Sequence, residues 1–153
     1  MKKEVKLYNL IFPMFMLYVF PNIFWLILIP LNFAVDSLVV ILAAMSKKMD
    51  WKDLWKRTIL KVVIIGFLCD FAGAALTVVL SDSVFSNLNA YLWPDVTWMA
   101  LPGVIVAGVL LYVASRWFTF SGIGLEKKEM HFFSLVIAIA TAPYTMMLPL
   151  YIR

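Results

Sequence analysis

From Leu7 to Met45 the chain runs through 39 residues that carry one charged side chain, Asp36. A single membrane crossing needs only about 20 residues, so this run is long enough for two. Such a chain folds in lipid, where every backbone polar group must be paired within the protein and helices do this locally. Three further apolar stretches follow, at about 59–80, 98–118 and 130–150. The fold class expected is all-α: a polytopic helical membrane protein of about five transmembrane helices in one domain.

Composition supports the same class. Of 153 residues, 64% are hydrophobic and 14% charged, with mean hydropathy +0.94. Soluble domains carry about 25% charged residues, so too little polar surface is available here to coat an aqueous fold. The net charge is +4. The basic residues flank apolar runs and form no separate domain, so nucleic acid is not an expected partner. One cysteine, Cys69, excludes an intramolecular disulfide and reads as a small buried hydrophobe. The single histidine, His131, opens the last apolar run and reads as an interfacial side chain. Cys/His metal spacing is absent, and no cofactor is expected.

Lysines bracket the first run: Lys2, Lys3 and Lys6 before it, Lys47 and Lys48 after it. The positive-inside rule puts both ends in the cytoplasm, which requires an even number of crossings. Two spans, about 7–27 and 30–45, joined as a hairpin broken among Pro21, Asn22 and Pro30, meet that requirement. The other solution keeps residues 7–20 as a re-entrant piece before one long kinked helix. The start resembles a secretory signal, but the run exceeds a signal core and lacks a small-x-small site, so a retained anchor is expected. This topology puts twelve of thirteen Lys and Arg residues inside and Arg153 outside, N-in and C-out. A bacterial plasma membrane is the expected location.

Residues 46–58 read as a cytoplasmic amphipathic hinge. Trp51, Leu54, Trp55 and Thr58 recur at helical spacing, with Lys52, Asp53, Lys56 and Arg57 on the other side and Asp50 as N-cap. A short helix lying on the inner surface would face Trp51 and Trp55 to lipid. Lys47, Lys48, Lys52, Lys56 and Arg57 would then face anionic headgroups or a partner. Residues 81–97 hold no lysine or arginine and suit an external loop. Gly103, Ala107 and Ala114 give the fourth span a small-residue face, and Arg116 can snorkel at its inner end. Ser121-Gly122-Ile123-Gly124 reads as a turn. In the last span, Ser134, Ala138, Thr141 and Thr145 share a face, and Pro143 should bend it near mid-membrane.

Two acidic residues cannot be assigned to water. Asp36 lies in Asn32-Phe33-Ala34-Val35-Asp36-Ser37, and Asp70 in Gly66-Phe67-Leu68-Cys69-Asp70-Phe71-Ala72-Gly73. An ionisable group in hydrocarbon costs at least a few kcal/mol, so its default reading is functional. Helical rise puts Asp36 about 15 Å above Ser46 and Asp70 about 14–20 Å above the Arg57–Lys61 segment. Both are near the middle of a layer about 30 Å thick. Thr141 reaches a similar level, whereas no lysine, arginine or histidine does. Gly66, Asp70, Gly73 and Thr77 share one helical face, which turns Asp70 into the bundle.

Three states fit these constraints: neutral acids, one proton shared between two carboxyls, or a bound cation. Asn32, Ser37, Thr77, Thr141 and carbonyls freed by Pro30 would supply further hard oxygens. The function expected is a small transporter or channel-like protein, oligomeric, handling a proton or cation through Asp36 and Asp70. The other reading is a non-transporting membrane subunit or scaffold that docks a partner or anionic lipid through residues 47–61. A protonated aspartate bonding a neighbouring helix would serve that second role and is worth on the order of 1 kcal/mol. Two membrane carboxyls can also act as an acid–base pair. The Tyr-Asp and Gly-x-Gly-Asp signatures of intramembrane aspartyl proteases are absent, however, and enzymatic activity is not expected.

Overall fold

The computed structural model describes residues 12–13, 25–89 and 93–150. Four helices in it are long and apolar enough to cross a membrane. They are α1 (Trp25–Ser46), α2 (Trp51–Ser83), α3 (Asp95–Ala114, continued by a π-helical turn, Ser115–Thr119) and α4 (Lys127–Ala140). A 3-10 turn, Tyr144–Met147, completes the fourth apolar segment. Phe12–Pro13 (β1) pairs antiparallel with Pro149–Leu150 (β2). The expected first span, 7–27, and the turn at Pro21 and Asn22 fall largely outside the described residues.

Burial is inverted relative to a soluble bundle. On α2 the buried stripe is Val62, Gly66, Cys69, Asp70, Gly73 and Thr77, while Leu60, Ile64, Leu68 and Phe71 are exposed. Large apolar side chains facing outward are tolerable in lipid, and small residues inward let helices approach. The closest approach joins α2 and α3 at Gly73 and Gly103. A Cβ on Gly73 would lie 2.5 Å from the Gly103 carbonyl oxygen and 2.8 Å from Ala107 Cβ. Two apolar clusters result. One, toward the lysine-rich end, holds Val40, Leu54, Val62, Leu111, Phe120 and Phe133; the other holds Ala74, Val96, Ala100, Val104 and Met146. Asp70 lies at their boundary, because Cys69 belongs to the first and Ala74 to the second.

Three expectations about elements change. The helix does not break at Pro30: α1 runs from Trp25 through it. Proline removes one intrahelical bond there, a loss the other turns of α1 outweigh. The hinge is not a separate surface helix. Asp50 caps α2 by accepting from Lys52 N at 3.0 Å, and residues 51–58 continue directly into the span. Its 33 residues extend about 50 Å, against a hydrocarbon layer of about 30 Å. Leu54 and Thr58 are buried in the bundle, and Trp55 packs edge-on against Phe33 with ring centroids 6.2 Å apart. Leu54, Trp55 and Thr58 are therefore covered by protein while Trp51 stays exposed, and the hinge is the turn at Lys47–Asp50, where Lys48 has φ 56°. Lastly, the final segment is stopped rather than bent at Thr141–Pro143. The glycine turn is as expected, with φ of 89° at Gly122 and 82° at Gly124.

Candidate functional site

Asp36 and Asp70 line one cavity of about 30 Å³, together with Asn32, Val35, Gly66, Phe67 and Thr141. A water needs about 10–15 Å³ of such space, so one or two waters or a bare monatomic ion fit. The local reasons are helical. Asn32, Asp36, Val40 and Ala43 follow one another at spacings that keep them on one face of α1. Gly66 and Asp70 are one turn apart on α2. Gly66 leaves room for the carboxylate: a Cβ there would lie 3.7 Å from Asp36 Oδ2. Asp36 thus rests against bare α2 backbone, one turn before Asp70.

The third wall is the broken end of α4. Thr141 ends the helix because the residue before a proline is driven out of the α region, and Ala142 precedes Pro143. The carbonyls released there are reused. Ile139 O accepts from Tyr144 Oη at 2.6 Å, while Ile137 O keeps its helical bond from Thr141 N and also lies 2.9 Å from Thr141 Oγ1. Met147 O accepts from Thr97 Oγ1 at 2.9 Å, tying the 3-10 turn to α3. Non-helical backbone at membrane depth is stable only where protein or water covers it in this way.

Thr141 also stands within side-chain hydrogen-bonding reach of Asp36. Its hydroxyl can donate either to Ile137 O, 2.9 Å away, or to the Asp36 carboxylate, and its lone pairs can bind a cation beside it. A helix C-terminus carries roughly half a negative elementary charge. Two carboxyl groups therefore meet the negative end of α4, and among the described residues no lysine, arginine or histidine lines their cavity. Asp70 is 4% exposed, and its Oδ1 is buried without a hydrogen-bond partner. An unpaired buried carboxyl oxygen is costly in either protonation state.

Of the residues expected at this site, Asn32, Asp36, Asp70 and Thr141 come together, and two do not. Thr77 lies about 10 Å beyond Asp70 along α2, donates to Gly73 O at 3.0 Å and sits against Gly103. Ser37 does not line the cavity, and its Oγ is buried without a partner. Lys47, Lys48, Trp51, Lys52, Lys56 and Arg57 are all exposed at one end of the bundle. Lys47 Nζ lies 4.3 Å from the Phe132 ring centroid, and Arg57 pairs with Asp53 at 2.9 Å.

Gly66, Val35 and Phe67 complete the cavity, although the sequence marks them only as small or apolar. A second polar group escaped the sequence altogether. Tyr112 Oη lies 2.7 Å from His131 Nδ1 and accepts from Arg116 at 3.0 Å. Tyr112 and Arg116 are one turn apart on one helix, but no sequence signal joins them to His131 across a loop. Comparison with known proteins adds no relative: no family model, characterised protein or solved structure matches the chain.

Proposed function

We propose that the protein is a small membrane transporter or channel-like protein that takes up a proton or cation between Asp36 and Asp70. The observation that carries this reading is a cavity holding two carboxyl groups, one with an unpaired buried oxygen, against the negative end of an interrupted helix. A proton or a small cation relieves all three features at once. Asn32 and Thr141 add neutral oxygens, the ligand type that hard cations prefer. Interrupted helices whose C-terminal ends face a mid-membrane ion site are a recurring transporter device. In this reading the chain lies in a bacterial plasma membrane with residues 47–61 on the inner side and residues 81–97 on the outer side. Several copies assemble to complete a pathway.

The test is flux. Purified protein in liposomes should carry protons, sodium or potassium down an imposed gradient, read by a pH dye or isotope uptake. Gly66→Ala should fold normally, since its methyl meets Asp36 Oδ2 only at contact distance. By occupying the cavity wall it should slow flux. Empty-liposome rates for the wild type under every gradient would sink the proposal. They would favour the docking role, for which the exposed lysines at 47, 48, 52 and 56 are the supporting feature.

Orientation has its own check. Ser83 and Ser121 are both exposed and lie at opposite ends of the bundle. As single cysteines in a Cys69→Ala background, only the one at position 83 should react with an impermeant thiol reagent in intact cells. Equal labelling of both positions contradicts the topology.

A further inference from the structure

A groove of about 700 Å³ runs along α3 and α4. Its volume falls within the range of ligand sites, about 300–1,000 Å³. The groove exists because Gly108, Ala138 and Ala142 give it a floor without large side chains, between walls that include Ile105, Leu135 and Ile139. Between the levels of Leu101 and Tyr112 it extends about 16 Å, one leaflet of a layer about 30 Å thick. Apart from Tyr144, whose hydroxyl donates to Ile139 O, the lining is apolar until the end toward the lysine-rich side, where Tyr112 and His131 stand.

That end is basic. Arg116 donates to Tyr112 Oη at 3.0 Å, and Tyr112 Oη shares a hydrogen bond with His131 Nδ1 at 2.7 Å. An imidazole that accepts at Nδ1 carries its hydrogen on Nε2, where it can donate to a ligand. Arg116 uses one of its five N–H groups on Tyr112 and keeps the others. Lys127 and Lys128 precede His131 by four and three residues on α4 and so share its side of the helix. The π-helical turn at Ser115–Thr119 carries Arg116, and such turns often mark functional positions.

We infer that this groove binds one phospholipid with an anionic headgroup, its acyl chain between α3 and α4 and its phosphate at Arg116 and His131. Charge complementarity at one end and a one-leaflet apolar channel at the other select that occupant. The site shares no lining residue with the carboxyl cavity.

Photoactivatable phospholipids with a diazirine in the acyl chain test it, using full-length protein in nanodiscs and comparing phosphatidylglycerol with phosphatidylcholine. Cross-links should map to residues 101–112 and 131–147. The glycerol lipid should label about five-fold more, as expected for one basic contact near the surface. Arg116→Gln should reduce that preference to parity. Ile139→Trp, at a residue 59% exposed on the groove wall, should block labelling by both lipids without disturbing the core. Labelling spread evenly over the exposed faces of α1 and α2, or without headgroup preference in the wild type, overturns the inference. So does an absence of labelling at the groove, the result if a second copy of the chain covers it.

Discussion

Asp70→Asn is expected to abolish proton or cation flux while leaving the protein as stable as before, or more so. Asparagine preserves the size of the side chain and removes a charge that, at Oδ1, has no partner. Loss of one buried charged ligand costs about 2–5 kcal/mol of binding, a fall of about thirty-fold or more. Stability should move the other way, because an uncompensated buried ionisable group opposes folding and its neutral isostere does not. Asp36→Asn should behave alike, and the double variant should be no worse than either single one, since both serve one site. Liposome flux and thermal unfolding in detergent, measured on the same preparations, give both readings. Full flux in the double variant would reduce the two aspartates to packing groups.

Gly73→Val and Gly103→Val should have the largest effect on stability. The space for a Cβ at Gly73 is already taken by the Gly103 carbonyl and Ala107, and at Gly103 by Thr77 and the Gly73 carbonyl. These are backbone atoms and short side chains that cannot swing aside. Overpacking costs typically 1–3 kcal/mol, and with α2 and α3 forced apart the upper end, about 3 kcal/mol, is expected. Thermal melts should show a large loss for both variants and little change for Gly66→Ala. Equal melting of all three with the wild type would mean that the helices do not approach so closely.

The apolar runs were legible because hydrocarbon demands about 20 residues per crossing. The inward face of α2 was legible because only Gly66, Asp70, Gly73 and Thr77 break its bulky apolar pattern at helical spacing. Residues 51–58 were misread for a physical reason: Leu54 and Thr58 form a face that lipid or a neighbouring helix can cover equally well. Pro143 was recognised as a disruption, but proline either kinks or ends a helix. Here Tyr144 Oη donates to the freed Ile139 carbonyl and Thr97 Oγ1 anchors the following turn at Met147 O, which makes ending the stable outcome.

The sequence by itself determined that this chain is helical, that it has membrane-spanning segments, and that Asp36, Asp70 and Thr141 lie at one depth. These follow from hydrophobicity and helical rise, which act along the chain and need no knowledge of neighbours. Only the tertiary structure decided that Asn32 and Thr141 join the aspartates while Ser37 and Thr77 do not. It also decided that the broken end of α4 closes the cavity. Depth is a one-dimensional property, but which side chains meet depends on how each helix is rotated against the others. That rotation is set where small residues such as Gly66, Gly73 and Gly103 let backbones touch, between helices distant in sequence.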